Sequence, residues 1–330
     1  MFDAYKPRVA GGAEEGPKMS NLKYVPYFRA KQNEVIAVRE LAVRLAAHGK
    51  VLPVFEPVSL SSGKTLQASA KHFVDAGLAI GVVVNPRVGK LVNQPARTSA
   101  ILSALTAANV HVVPVMIAHA SLKDAVVKRF SALNASARMF LHVDVPQAAG
   151  TDAAIRADAP ALHAFKSGAC GAAYEQTFSG STRFVIHDGF KSQARNADYP
   201  NTSFFSDAHS TYVADHWDGF GDFSIVGDRF SPSGGAALTV AIHMTETSGT
   251  GVRCNHFLST TNLTTANPAG KFTEAMNALS AYVRAHPGRI DFSDGHANLM
   301  AHHRSSHFPG LGVAKREMMR HHLELMLGLI

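Results

Sequence analysis

Residues 78–119 read LAIGVVVNPRVGKLVNQPARTSAILSALTAANVHVVPVMIAH, and the prediction of the fold starts from them. Two apolar runs, residues 78–85 and 110–119, flank a segment at 98–108 that has the apolar spacing of a helix. Runs that are apolar almost throughout are typical of strands buried on both faces of a parallel sheet. The segment therefore predicts two parallel strands joined by a helical crossover.

The same alternation continues on both sides of this segment. Further strands are predicted at residues 23–29, 51–56, 138–144 and 183–188, and further helices at 32–48, 62–75, 121–133 and 151–166. Ser121 and Asp124 are expected to cap one of these helices, and Pro160 to start or kink a turn in another. No GxGxxG motif follows the first strand and no GxxxxGK[ST] motif occurs, so the doubly wound nucleotide folds lack their usual signature. The repeats predict an α/β fold of the (β/α)8, or TIM-like, barrel type.

The last third of the chain departs from this alternation. Strand-like segments at 223–227, 237–244 and 252–258 are separated by SPSGG and SGTG, which leave no room for crossover helices and favour hairpin turns. Helices at 271–286 and 313–327 close the chain. We therefore expect a barrel that is irregular in its last third, with an inserted hairpin.

The domain organisation follows from composition. Residues 1–19 are rich in Gly, Pro and charge without an apolar period, so they are predicted to be a disordered N-terminal tail. Residues 20–330 are predicted to form a single barrel-like domain with C-terminal helices.

Composition also excludes several classes of protein. The net charge is +7, but Lys and Arg are scattered, so an anionic ligand is slightly favoured and no nucleic-acid interface is evident. No apolar run reaches the length of about 18 residues that a membrane span needs, and no secretion signal begins the chain. Two distant cysteines, Cys170 and Cys254, are typical of reduced thiols and predict a cytoplasmic protein.

Polar residues stand at the carboxyl ends of the predicted strands, where the loops of such a barrel converge on one mouth. These strand ends are Arg29, Glu56, Asn85, His119, Asp144 and Asp188. We predict that Glu56, Asp144 and Asp188 are catalytic, as acids, bases or metal ligands. The predicted substrate-binding residues are Arg29, Asn85, Lys191, Asp207, His209 and His243, among which Arg29 and Lys191 would hold negative charge. The alternative is that each polar residue only caps its own loop.

The histidines offer pairs of metal-type ligands but no metal signature. In three pairs the two side chains would share a face of the chain or sit on neighbouring strands: Asp207 with His209, Asp144 with His142, and His243 with His256. None of these spacings is a recognised motif, so no metal is predicted and the cofactor stays unknown. Lys191 follows a strand where a Schiff-base lysine could stand, but a solvated loop lysine is expected.

Residues 218–245, DGFGDFSIVGDRFSPSGGAALTVAIHMT, hold five glycines and three aspartates. Gly221 and Gly227 are expected to adopt positive φ angles in turns, with Phe220, Phe223 and Phe230 anchoring the loop by burial. Asp222 and Asp228 are expected to close turns by accepting backbone N–H groups. His243, at the end of the apolar strand TVAIHM, is the residue of this block that we expect to face a pocket.

Several segments resemble a known family. They are YVPYFRAKQNEVIAVREL, VLPVFEPV, VIHDGFKSQARNADYP, FFSDAHSTY, DGFGDFSIVGDRFSPSGGAALTVAIHMT, HFLST, GKFTEAM and HFPGLG. Over about residues 22–325 the chain resembles the prokaryotic "beta family" proteins, and more strongly a sister group named only by a locus tag. The resemblance implies a cytosolic prokaryotic protein, often linked to prophages or mobile elements. It implies no reaction, so no catalytic residue is carried over from it.

Two functions follow from the sequence. The first is an enzyme, of hydrolase or lyase type, acting on a small anionic or phosphorylated molecule at the barrel mouth. The alternative is a non-catalytic barrel that binds a protein partner in a mobile-element or phage-defence system.

Overall fold

The computed structural model describes residues 19–158, 161–232 and 237–330. Their contacts divide the chain into two compact units. The first comprises the described residues up to His187 together with Thr211–Asp222, and the second comprises Asp188–Ser210 and the described residues from Phe223 to Ile330. A single domain over 20–330 stays a prediction, and nearly all of the predicted tail, residues 1–18, lies outside the described residues.

The helices and strands are listed here in chain order. They are β1 (Tyr27–Phe28), α1 (Gln32–Glu40), α2 (Ala42–His48), β2 (Val54–Phe55), α3 (Leu60–Ala76), β3 (Ile80–Val83), α4 (Pro95–Ala107), β4 (Val112–Ala118), α5 (Asp124–Ser131), β5 (Arg138–His142), α6 (Thr151–Arg156), β6 (Ala161–Lys166), α7 (Ala172–Gln176), β7 (Arg183–His187), β8 (Thr202–Ser206), α8 (Ala208–Thr211), β9 (Gly219–Asp222), β10 (Ala241–Ser248), β11 (Gly251–Leu258), α9 (Pro268–Ala285), α10 (Asp294–Arg304) and α11 (Leu311–Leu327). Short 3-10 helices cover Met19–Asn21, Asn196–Asp198 and Ser224–Val226.

The first unit is a parallel barrel of eight strands. Its strand order is β1-β2-β3-β4-β5-β6-β7-β9, with every neighbouring pair parallel. Tyr24, just before β1, bridges both Val51 and Phe220, so the first and last strands meet and the barrel is nearly closed. Helices lie between the strands, and the predicted (β/α)8 fold is confirmed.

Alternation along the strands sorts the side chains of the barrel. Val83, Val115 and Met139 occupy paired positions on β3, β4 and β5 and form one layer of the interior. On the opposite face Phe140 packs against Phe130 of α5, with ring centroids 5.1 Å apart. Strands that bury both faces explain the nearly continuous apolar runs in the sequence.

Several predicted elements were wrong. The helix at 151–166 ends at Arg156, and Ala161–Lys166 is the sixth barrel strand, with Pro160 outside the described residues. Its sequence ALHAFK alternates with period two, so His163 and Phe165 face outward and pack on Phe178. The helix at 121–133 begins at Asp124 with Lys123, and not Ser121, at its N-cap.

The block from residue 218 to residue 245 also differs from its prediction. Residues 224–226 form a 3-10 helix and not a strand, whereas the barrel strand lies just upstream as β9. Gly227 has the expected positive φ of 75°, but Gly221 does not. Gly221 is required for space instead, because a Cβ there would lie 2.1 Å from the carbonyl oxygen of Val25. Residues 233–236, which include Gly234 and Gly235, lie outside the described residues.

The second unit is built on a three-stranded antiparallel sheet in the order β10-β11-β8. The strands β10 and β11 pair from Ala241 with Leu258 to Ser248 with Gly251, which confirms the predicted hairpin. Tyr282 of α9 packs on Phe257 from one face, and α11 reaches Thr245 on the other through His321 and His322. No helix among the described residues has the length and apolar character of a membrane span.

Candidate functional site

The carboxyl ends of β1 and β2 carry a buried ion pair between Arg29 and Glu56. The Glu56 side chain is fully buried, and its carboxylate also accepts hydrogen bonds from the Tyr27 hydroxyl at 2.8 Å and from the backbone N–H groups of Arg87 at 2.6 Å and Val88 at 3.3 Å. Two strands and the loop after β3 are therefore tied together by one carboxylate. The structure brings these two predicted residues into contact, and the charge of each is met by the other.

Asn85 ties β3 to β4. Its amide nitrogen donates to the carbonyl of Ile117 at 2.9 Å, and its amide oxygen accepts from the N–H of the same residue at 2.7 Å. Such paired hydrogen bonds copy a sheet ladder where the strand has ended. Asn85 thereby fixes the position of the loop that carries Arg87.

Four exposed or half-buried polar side chains gather at this end of the barrel, and we call them the mouth cluster: Arg87, His119, Ser121 and Asp144. His119, directly after β4, has its Nε2 3.4 Å from an Arg87 guanidinium nitrogen and its Nδ1 3.1 Å from the Ser121 hydroxyl. Asp144, which follows β5, is exposed, and its carboxylate accepts from the N–H of Val145 at 2.7 Å. Arginine, imidazole, hydroxyl and carboxylate are a set that can bind an anion and move a proton.

The electrostatics of the mouth cluster favour neutral imidazole. Burial lowers the pKa of His119, the Arg87 guanidinium lowers it further, and the Asp144 carboxylate opposes both. A neutral ring accepts a hydrogen bond from Arg87 at Nε2 and donates from Nδ1 to Ser121. Burial and Arg87 thus favour the neutral form of His119.

The remaining predicted residues belong to the second unit. The Asp188 carboxylate accepts from the N–H of Asp228 at 3.2 Å and closes the turn at Gly227, while Lys191 is exposed in the next loop. Asp207 and His209 follow β8 and interact, since Asp207 raises the pKa of His209 although burial lowers it overall. Their catalytic or binding roles stay predictions.

His243 is buried within the second unit. It lies opposite His256 in the β10–β11 hairpin, with the two Nδ1 atoms 2.8 Å apart, and Cys254 Sγ is 3.9 Å from His256 Nδ1. Burial lowers the pKa of His243 well below its usual value and that of His256 to about 4, and raises the pKa of Cys254. The residue expected to face a pocket therefore lies in a compact group of three potential ligands.

Another histidine pair escaped the sequence analysis. His142 Nε2 lies 3.1 Å from His163 Nδ1, and the Tyr174 hydroxyl is 3.2 Å from His142 Nδ1. Burial lowers the pKa of His163 to about 4 and that of His142 well below its usual value. Both histidines therefore lie as neutral core residues among the rings of Phe165 and Phe178. The period-two alternation of ALHAFK is the sequence signal that could have placed His163 there.

No protein-family model and no curated protein sequence matches the chain. The resemblance to beta family proteins accordingly stays an expectation from the sequence.

Proposed function

We propose that the barrel binds a small anionic molecule, of the phosphate or carboxylate class, at the mouth cluster and acts on it as an enzyme of hydrolase or lyase type. The observation that carries the proposal is the contact between Arg87 and His119 Nε2 at 3.4 Å. A guanidinium beside an imidazole is stable only while the ring is neutral, and an anion between them would be attracted by the guanidinium and, once the ring is protonated, by the imidazolium.

The roles within the cluster follow from their positions. Arg87 is exposed, so its guanidinium can leave His119 and bind two oxygens of an incoming anion. His119, freed at Nε2, then acts as the general base, with Ser121 holding its Nδ1–H. Asp144 stabilises the imidazolium that forms after proton transfer, since its carboxylate raises the pKa of that ring. We therefore assign to Arg87 the anion-binding role that the sequence predicts for Arg29.

Glu56 positions Arg87 at this site. Its carboxylate binds the backbone N–H groups of Arg87 and Val88 and so places the arginine at the carboxyl end of β3. Buried hydrogen-bonded carboxylates of this kind position the residue that touches substrate.

Calorimetric titration with inorganic phosphate and pyrophosphate tests the proposal. We expect binding to the intact protein and a loss of about tenfold or more in affinity for Arg87→Gln, because one charge-assisted hydrogen bond is worth about 1.5–3 kcal/mol. Arg129→Gln is the matched control, since this exposed arginine lies in the last turn of α5, at the opposite end of the barrel. Equal affinities of the two variants would refute the proposal, and a barrel that only binds a protein partner would bind neither anion.

A further inference from the structure

The strongest candidate for a further site lies in the second unit and includes none of the residues of the proposed function. His243, Cys254 and His256 each carry a potential ligand atom, and these atoms all lie within 4.8 Å of one another. The side chains of all three are buried, with 8%, 0% and 5% of their surface exposed. No other group of three or more such ligands is found among the described residues.

The hairpin register produces this group. Cys254 and His256 are two residues apart on β11 and share one face, and His243 is the direct partner of His256 on β10. The sequence shows only a CNH tripeptide and a distant histidine, and pairing of the two strands makes them neighbours.

The distances suit a bound ion. Ligands placed about 2.0–2.3 Å from one metal ion stand about 3.3–4 Å apart. The two Nδ1 atoms are 2.8 Å apart and Cys254 Sγ is 3.9 Å from His256 Nδ1, so small side-chain shifts open the position between them. The backbone N–H of His243 donates to the thioether sulfur of Met318 in α11 at 2.8 Å, which ties this position of β10 to the helix.

The surroundings also resemble those of a metal ligand. Metal-bound histidines almost always engage their second ring nitrogen in a hydrogen bond that fixes the ring. His256 does so here, because its Nε2 is 2.9 Å from the Ser203 hydroxyl. Tyr199 packs on both imidazoles with ring centroids 4.7 Å away.

We propose that His243, Cys254 and His256 form a binding site for a monovalent copper ion. Thiolate and imidazole donors suit copper(I) and zinc(II) more than the hard cations. The charge balance selects between the two: one thiolate and two neutral imidazoles neutralise Cu⁺, whereas Zn²⁺ would leave a net positive charge in a buried site. The charged side chain that acts on His243 is Lys315, a cation, which increases this preference.

Binding involves no change of oxidation state. Cu⁺ replaces the proton shared by the two Nδ1 atoms, which moves to Nε2 of His243, and the thiol proton of Cys254 is released to solvent. One proton is therefore released for each ion bound.

Anaerobic titration of the full-length protein with Cu(I), against a competing chromophoric chelator, tests the site. We expect one tightly held equivalent, loss of that equivalent in Cys254→Ser and in His256→Gln, and about 10- to 100-fold weaker binding in Ser203→Ala. Cys170→Ser controls for the other buried thiol. His302→Gln controls for an exposed pair, His302 and His307, whose Nδ1 atoms are 3.1 Å apart. Both control variants should keep the equivalent.

X-ray absorption at the copper edge gives a readout that does not depend on variant folding. The wild-type complex should show one sulfur at about 2.2–2.3 Å and two nitrogens at about 2.0 Å. Absence of a bound equivalent, a spectrum without sulfur, or full retention of copper by a folded Cys254→Ser would overturn the site. Tighter retention of Zn(II) than of Cu(I) would overturn the assignment of a monovalent ion.

Discussion

Gly221 in β9 lies where the barrel closes, and its replacement by alanine measures that closure. A Cβ at this position would stand 2.1 Å from the carbonyl oxygen of Val25 and 2.5 Å from Cδ1 of Ile186. The carbonyl belongs to the backbone next to β1 and cannot rotate away, so β9 must move by about 1 Å from the first strand. That movement breaks the hydrogen bond from the N–H of Val25 to Phe220, which is 2.9 Å long.

The expected cost of Gly221→Ala is the sum of overpacking and of this lost hydrogen bond. Overpacking of an interior costs about 1–3 kcal/mol, and a backbone hydrogen bond contributes about 1 kcal/mol, so the free energy of unfolding should fall by about 2–4 kcal/mol. Two other glycines serve as controls that distinguish steric crowding from backbone strain. Gly49 has φ +69° with nothing within 4 Å, and Gly171 has neither constraint.

Urea unfolding followed by tryptophan fluorescence measures these costs. The single tryptophan, Trp217, belongs to the first unit and reports on the barrel. We expect Gly49→Ala to lose about 1 kcal/mol and Gly171→Ala to stay within about 0.5 kcal/mol of wild type. If Gly221→Ala unfolds at the same urea concentration as Gly171→Ala, the first and last strands do not pack as described.

Three further predictions concern burial and charge. Protonation of His142 and His163 should destabilise the first unit. Their folded pKa values lie below the ordinary 6.5, so stability is complete above about pH 6.5 and falls as the pH drops toward 4, where protonation of His163 alone costs about 3 kcal/mol. Urea unfolding followed by Trp217 fluorescence across that pH range measures the loss. Glu56→Gln should lower the free energy of unfolding by about 3–5 kcal/mol, since it removes the charge that neutralises buried Arg29. Asp75→Asn, at an exposed ion pair, is the control and should cost under about 1 kcal/mol. Equal urea midpoints of the two variants would contradict this prediction. Gly227→Val should lower the free energy of unfolding by more than about 1 kcal/mol, and with it the melting temperature, because the φ of Gly227 is 75° and Phe190 is close. An unchanged calorimetric transition would show that the turn tolerates a side chain.

Much of the fold could be predicted because parallel strands leave a strong signal. The runs 78–85 and 110–119 are apolar almost throughout, since β3 and β4 are buried on both faces. Two barrel strands carry a weaker signal. β6 follows a helix-like segment and holds the polar His163 and Lys166, while β9 reads GFGD, a turn-like sequence whose glycines are demanded by crowding against Phe184 and Ile186. Crowding of that kind depends on neighbours that are far away in sequence.

The sequence predicted where the candidate site lies but not which residues form it. Strand ends led to Arg29 and Glu56, but the sequence does not show that the two neutralise each other. Arg87 and Ser121, each two residues beyond a named strand end, were missed, and their place in the loops after β3 and β4 is the signal that could have found them. The grouping of His243 with Cys254 depends on hairpin register, which turn geometry sets.

The measurement that tests anion binding at the mouth cluster most directly is the pKa of His119, followed by NMR of the imidazole with and without saturating inorganic phosphate. His119→Gln assigns the resonance. Without an anion, burial and Arg87 hold this pKa below 6.5. A bound anion that engages Arg87 stabilises the imidazolium, so we expect the pKa of His119 to rise when phosphate is added. A pKa that stays unchanged or falls in saturating phosphate would contradict it.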